Sequence, residues 1–123
     1  MWSWFTNGNT DTKDGDSEAE GIGQTRVTKN IEGIQVDRAY RISDQEAVTI
    51  IYQLLREEGI FLGLSSGINL VGAVRFARER GPGQTIVTLQ CDSGHKYQSK
   101  LFNPQWLSEH QLTTNLPVTS LFS

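Results

Sequence analysis

The chain is poor in several things at once. It has one cysteine, one methionine, three prolines and two histidines in 123 residues. A lone Cys91 leaves no internal disulfide framework and fits a reducing compartment. His95 and His110 stand isolated, without the clustered His, Cys, Asp or Glu ligands of a metal centre, so no metal site is expected. The acidic stretch NGNTDTKDGDSEAE (residues 7–20) carries five acidic residues against one lysine. Its spacing misses the glycine at position six and the glutamate at position twelve of an EF-hand loop. It reads as an exposed polar loop. There is no basic excess: the net charge is −3, which gives no footprint for nucleic acid or for an anionic membrane surface. No apolar run approaches the roughly 18 residues of a membrane span. The opening MWSWFTNGNT lacks the basic and apolar regions of a secretory signal. The expected location is cytoplasmic.

What is present is a regular alternation. Three aromatics, Trp2, Trp4 and Phe5, crowd the start. They read either as the end of a buried element that begins earlier or as a terminal segment docking on its own core. After the acidic loop, EGIGQTRV places Gly21 and Gly23 around Ile22, a pattern for a turn or for close backbone approach. DRAYRI (37–42) reads as a short strand. Ser43 and Glu46 then form a capping box. Ala47, Val48, Ile51, Leu54 and Leu55 follow at helical spacing as far as Gly59. IFLGL (60–64) is a second, wholly apolar strand. A second helix starts at Ser65-Ser66-Gly67, with Leu70, Val71, Val74 and Ala77 on one face, and stops at Gly81-Pro82-Gly83. TIVTLQ (85–90) is a third strand, bounded by Cys91-Asp92-Ser93-Gly94. Residues 95–111 read as helical at both ends with a break at Asn103-Pro104, and the chain from Leu112 reads as irregular. Strands joined by helices of this length imply parallel strands with right-handed crossovers and helices on both faces. The expected class is α/β. The expected organisation is an N-terminal segment with its acidic loop over 1–20, an α/β portion over 21–112 and an irregular tail over 113–123.

In such a sheet, ligands bind beyond the carboxyl ends of the strands. Two strands end there in small polar residues, Ser65-Ser66-Gly67 and Cys91-Asp92-Ser93-Gly94. The serines therefore have two readings, as N-caps of the following helix or as groups facing a ligand. Gly63-Leu64-Ser65-Ser66-Gly67 also has the spacing of a hydrolase nucleophile elbow, but its histidine partner is not evident. Neither a P-loop nor a dinucleotide-binding glycine fingerprint is present.

EGIG, ISDQEAVTIIYQLLREEGIFLGLSSGINLVGAVRFARE, GQTIVTLQCDSGHKYQSKLF and NPQW, in this order, resemble the C-terminal part of cysteine synthases. These are pyridoxal-phosphate enzymes of the tryptophan-synthase-β fold type, related to cystathionine β-synthase. The resemblance covers residues 20–112. It implies a partial three-layer parallel sheet with flanking helices, the C-terminal portion of the large domain of PLP fold type II. It implies that Ser65 hydrogen-bonds the pyridine nitrogen of pyridoxal 5′-phosphate, a neutral partner suited to β-elimination and addition. It implies further that Gly21, Gly23, Ser66, Gly67, Cys91 and Asp92 line the pocket. Cys91 stands where the family commonly has proline and Lys96 where it has arginine, so Cys91 reads as a pocket-edge or buried thiol. The family's Schiff-base lysine motif, its glycine-threonine phosphate loop and its Asn-containing substrate loop have no match here, so no catalytic residue is assigned. The implied parent reaction is β-replacement on an O-activated L-serine by sulfide, in an enzyme that is usually a homodimer. A chain with one wall of that pocket is expected to be inactive alone. The alternative expectation is a non-catalytic α/β binding or interaction protein derived from the same family.

Overall fold

The computed structural model describes residues 2–8, 19 and 27–122. Gly21, Gly23 and most of the acidic stretch lie outside the described residues. The chain divides into two compact units, 1–41 and 42–123. The first contains a six-residue helix, α1 (Trp2–Asn7). Gly8 follows it with φ +72°, and its N–H donates to the Trp4 carbonyl. A turn at 28–34 closes through the Ile31 N–H on the Thr28 carbonyl, at 3.0 Å.

The second unit is built on two stretches that both become helices. The first, α2 (Asp44–Glu58), begins as its sequence predicts. The Ser43 N–H donates to Glu46 Oε2 at 2.8 Å, and the Glu46 N–H donates to Ser43 Oγ at 3.3 Å. The reciprocal pair satisfies two of the donors that every helix start leaves open. Gly59 ends it in the left-handed region at φ 69°, a conformation that favours glycine. The second, α3 (Leu64–Arg80), stops at Gly81, whose φ is 77°. Arg75 of α3 pairs with Glu46 Oε1, so the capping glutamate also ties the two helices together.

The core lies between them. Ala47, Val48, Ile50 and Ile51 of α2 and Leu64 and Val71 of α3 are buried. Gly67 is a point of close approach: a Cβ there would stand 2.8 Å from the Ala47 carbonyl oxygen and 2.7 Å from Ile51 Cδ1. The stretch after Leu112 joins this core. The Thr113 N–H donates to Gln45 Oε1 at 2.9 Å, and Gln45 Nε2 donates back to the Thr113 carbonyl at 2.7 Å. Leu121, within a 3-10 turn at Val118–Phe122, is buried with Ile50 and Val71. Apolar Leu121 and Val118 recover enough burial to hold an otherwise polar segment.

The three segments expected as strands are where structure and expectation part. Residues 37–42, 60–64 and 85–90 form no sheet among the described residues, and the sole pairing is an isolated antiparallel bridge between Leu62 and Ser93. A strand is held by its neighbours' backbone groups, and among the described residues no backbone hydrogen bond joins one of the three runs to another. After 90, Gly94–Tyr97 is a single 3-10 turn and α4 (Pro104–Glu109) is a short helix. Asn103 caps α4 by accepting the Gln105 N–H, with Pro104 at the first helical position, as the Asn-Pro break predicts. No helix among the described residues is long and apolar enough to cross a membrane.

An aromatic row binds these short elements to α2. Phe61 packs on Phe102 at 4.5 Å and edge-on to His95 at 4.9 Å, and Phe102 continues to Tyr52 at 5.4 Å between ring centroids. The Tyr52 hydroxyl donates to the Leu101 carbonyl at 2.8 Å. Burial raises the Tyr52 pKa above the ordinary tyrosine value, partly offset by Arg56 beside it. The neutral phenol is therefore the form that the fold prefers. Its contribution is fully present below about pH 10 and is lost as pH rises through the raised folded value. Melting temperatures measured from pH 8 to 11 should show the advantage of the native chain over Tyr52→Phe shrinking above pH 10. A difference that stays constant across the range would contradict the assignment.

Candidate functional site

The junction between IFLGL and α3 meets the loop after residue 90. Two glycines permit the meeting. A Cβ on Gly63 would lie 2.6 Å from the Tyr97 ring and 3.0 Å from Asp92 Cβ, and a Cβ on Gly94 would lie 2.6 Å from the Phe61 ring. With no side chain at either point, the backbones come into hydrogen-bond range. The Gly63 N–H donates to the Asp92 carbonyl at 2.8 Å, and the Gly94 N–H to the Phe61 carbonyl at 3.1 Å. The two polar strand ends expected to share one crevice edge are thus side by side, through an antiparallel contact of the loops.

The helix begins earlier than its serines suggest. Gly63 is the N-cap, with extended backbone and no side-chain cap, and its carbonyl receives the Gly67 N–H at 3.3 Å. Ser65 and Ser66 therefore sit inside the first turn, and neither caps α3. Once Gly63 occupies the cap, bound to Asp92, the serine hydroxyls are released for other partners.

The two serines then separate in role. Ser66, wholly buried, accepts the Cys91 N–H on Oγ at 2.9 Å. Ser65 is also buried, and its Oγ has no hydrogen-bond partner. A buried hydroxyl without a partner costs about 1–3 kcal/mol, and such groups are uncommon enough to require a reason. Asp92 is engaged: its Oδ2 accepts the Tyr97 hydroxyl at 3.1 Å and lies 3.5 Å from Lys96 Nζ. Cys91 is exposed, with Sγ 3.6 Å from Asn69 Nδ2. Gly67 turns its open side to α2 and serves the helix packing described above.

Sequence reasoning did not single out Asn69 or Tyr97. Asn69, one turn after Ser65 and Ser66, donates from Nδ2 to the Leu89 carbonyl at 3.0 Å. With the Ser66 contact it fastens the loop to the first turns of α3. Its position four residues after Ser65, on the same helix face, was the available signal. Tyr97 offered none, because its link to Asp92 depends on the 3-10 turn at Gly94–Tyr97. The site so assembled contains Ser65, Ser66, Gly67, Cys91 and Asp92; Gly21 and Gly23 lie outside the described residues.

Residues 3–92 match the model of a family described as pyridoxal-phosphate dependent enzyme. The chain belongs to this family. Three relatives define its neighbourhood. A cysteine synthase of Dictyostelium discoideum is 46% identical over 91 residues, which is 74% of this chain and 24% of that protein. Cysteine synthase 2 of Schizosaccharomyces pombe is 40% identical over 104 residues, 83% of this chain and 26% of the relative. Cysteine synthase 1 of Neurospora crassa is 38% identical over 120 residues, 95% of this chain and 32% of the relative. The chain thus spans about a quarter to a third of the length of these relatives.

The family's cofactor is pyridoxal phosphate, and the residues present fit one edge of it. The orphaned Ser65 hydroxyl is a neutral group able to hydrogen-bond a ring nitrogen, and the neighbouring carboxylate, Asp92, is occupied by Tyr97. Membership of the family places the chain in PLP fold type II.

Proposed function

We propose that this chain supplies the pyridine-nitrogen wall of a cysteine-synthase active site, the parent reaction being β-replacement on an O-activated L-serine by sulfide to give L-cysteine. The observation that carries the reading is the buried, unpartnered Ser65 hydroxyl. It stands in a chain 46% identical over 91 residues to a cysteine synthase. Pyridoxal phosphate, when bound, supplies the electron sink that the replacement needs. Ser65 meets the ring nitrogen with a neutral hydrogen bond and leaves it unprotonated, where a carboxylate would hold a proton on it. Ser66 and Asn69 keep the 89–92 loop against the start of α3. Segments 37–42, 60–64 and 85–90 become strands of a parallel sheet when the rest of the family fold is beside them, with Gly21 and Gly23 at the pocket. The parent enzyme is a cytoplasmic homodimer in this reading.

The chain offers no Schiff-base lysine motif and no phosphate loop. Ser65 alone adds one hydrogen bond, worth about 1 kcal/mol net, so the isolated chain is inactive. A self-contained binding protein would favour polar residues on the faces of its apolar segments; Val87 and Leu89 stand exposed there instead.

The test is a chimera in which residues 61–97 replace the matching segment of the Dictyostelium cysteine synthase. The chimera should retain cofactor and form cysteine. Ser65→Ala within it should lower the rate roughly fivefold, the scale of one lost hydrogen bond, with folding unchanged. An unaffected rate would remove Ser65 from the site, and sulfide incorporation by the isolated chain would overturn its assignment as inactive alone.

A further inference from the structure

Asp92 brings a carboxylate to the start of α3, near the serine on which the site depends. Its carbonyl accepts the Gly63 N–H at 2.8 Å. Its Cβ would lie 3.0 Å from a Cβ on Gly63, two positions before Ser65. The first turn of a helix attracts negative charge, and a hydroxyl donates more strongly to a carboxylate than to a neutral oxygen. Ser65 Oγ nevertheless has no partner. The carboxylate is turned elsewhere, and its Oδ2 accepts the Tyr97 hydroxyl at 3.1 Å. Tyr97 is rigidly placed to do this. Its side chain is buried, and its ring fills the space that a side chain on Gly63 would need, 2.6 Å from the Cβ position. The Tyr97 carbonyl accepts the Lys100 N–H at 3.0 Å and the Phe102 N–H at 3.4 Å, which fixes the backbone that carries the ring. Lys96 Nζ lies 3.5 Å from the same Asp92 oxygen, but its side chain is half exposed, and exposed pairs contribute little. The buried phenol therefore sets the direction of the carboxylate.

We propose that Tyr97 is a positioning residue: its hydroxyl holds the Asp92 carboxylate off Ser65, so that the serine keeps its proton free for a neutral ligand atom. A hydroxyl has one proton to donate. Once given to Asp92, it is lost to a ring nitrogen. A carboxylate that swung to the nitrogen itself would hold a proton there and undo the neutral contact that Ser65 makes. The tether thus protects the choice of a neutral partner. That the ligand atom is a ring nitrogen rests on the cysteine-synthase reading above; the tether itself rests on the Tyr97–Asp92 bond and the unpartnered Ser65 hydroxyl.

The experiment measures Ser65→Ala by chemical denaturation in three backgrounds of the full chain: native, Tyr97→Phe, and Tyr97→Phe with Asp92→Ala. Tyr97→Phe keeps the buried ring and removes only its oxygen. Asp92→Ala keeps the carbonyl that binds Gly63. In the native background Ser65→Ala should be neutral or mildly stabilising. With Tyr97→Phe the released carboxylate takes the Ser65 hydroxyl, and Ser65→Ala should raise the unfolding equilibrium constant about tenfold. With Asp92→Ala added, that effect should vanish, which a merely structural tyrosine would not produce. A Ser65→Ala effect that is the same with and without the Tyr97 hydroxyl would overturn the proposal. So would one that persists without the Asp92 carboxylate. The chimera carrying residues 61–97 gives a second reading that does not depend on the stability of the variant chains. There Tyr97→Phe should shift the absorbance band of bound pyridoxal phosphate, and Asp92→Ala should return it. A shift that Asp92→Ala leaves in place would overturn the tether. An unmoved band beside the expected stability pattern removes the cofactor reading and leaves the tether standing; an unmoved band without that pattern overturns both.

Discussion

Gly67→Ala should destabilise the 42–123 unit by about 2 kcal/mol or more, the range of an overpacked core. The sign is the informative part. In a helix interior alanine normally exceeds glycine by about 1 kcal/mol. Here the added methyl would stand 2.8 Å from the Ala47 carbonyl oxygen as well as 2.7 Å from the end of Ile51. Ile51 can rotate away, but the carbonyl belongs to the backbone of α2 and moves only if the helices part. The control lies on the same helix. A Cβ on Gly72 would meet only Ile42 Cδ1, at 3.4 Å, so Gly72→Ala should be neutral or mildly stabilising. Thermal denaturation of the two variants beside the native chain decides the matter. Equal stability for both would mean that α2 and α3 do not meet at Gly67.

Adjacent serines should respond to the same substitution in opposite directions. Ser66→Ala removes the acceptor of the Cys91 N–H and leaves that donor without its partner, a loss of about 1–3 kcal/mol. Ser65→Ala removes a buried hydroxyl that has no partner to lose, so stability should hold or rise by about 1 kcal/mol. The expected pattern is a residue kept against the interest of the isolated fold, as groups reserved for a ligand are. Chemical denaturation of the two variants measures the difference. A Ser65→Ala chain as damaged as Ser66→Ala would show that Ser65 has a structural partner after all, and the argument for the cofactor wall would lose its support.

The candidate site was legible as a neighbourhood and less so in its details. Ser65-Ser66-Gly67 and Cys91-Asp92 were placed together by the rule that parallel strands end on one edge, and they do meet. They meet through the antiparallel contact of Leu62 with Ser93, which strand periodicity does not encode. The serines had two readings, as caps, because hydroxyls before an apolar helical pattern usually are, or as groups facing a ligand. Gly63 took the cap instead, since its own N–H is bound by the Asp92 carbonyl, a partner twenty-nine positions away in chain order. Gly67 carried no sign of its helix-packing role beyond being glycine in a helix.

Local sequence alone determined α2 with both its ends, the stop of α3 and the start of α4. The Ser43–Glu46 box, the glycines after Glu58 and Arg80, and the Asn103-Pro104 start of α4 act over a few residues, where capping and steric preference decide. Sequence also carried the family, through the serine-glycine junction and the DSGHKYQSKLF stretch that follows it. Tertiary structure decided what each serine does, which glycines mark close approach, and that the tail after Leu112 joins the core through Leu121. It also decided the state of the apolar runs. Hydrophobicity says that a segment should be covered, but only a neighbouring strand can pair its backbone, and among the described residues none pairs with 85–90.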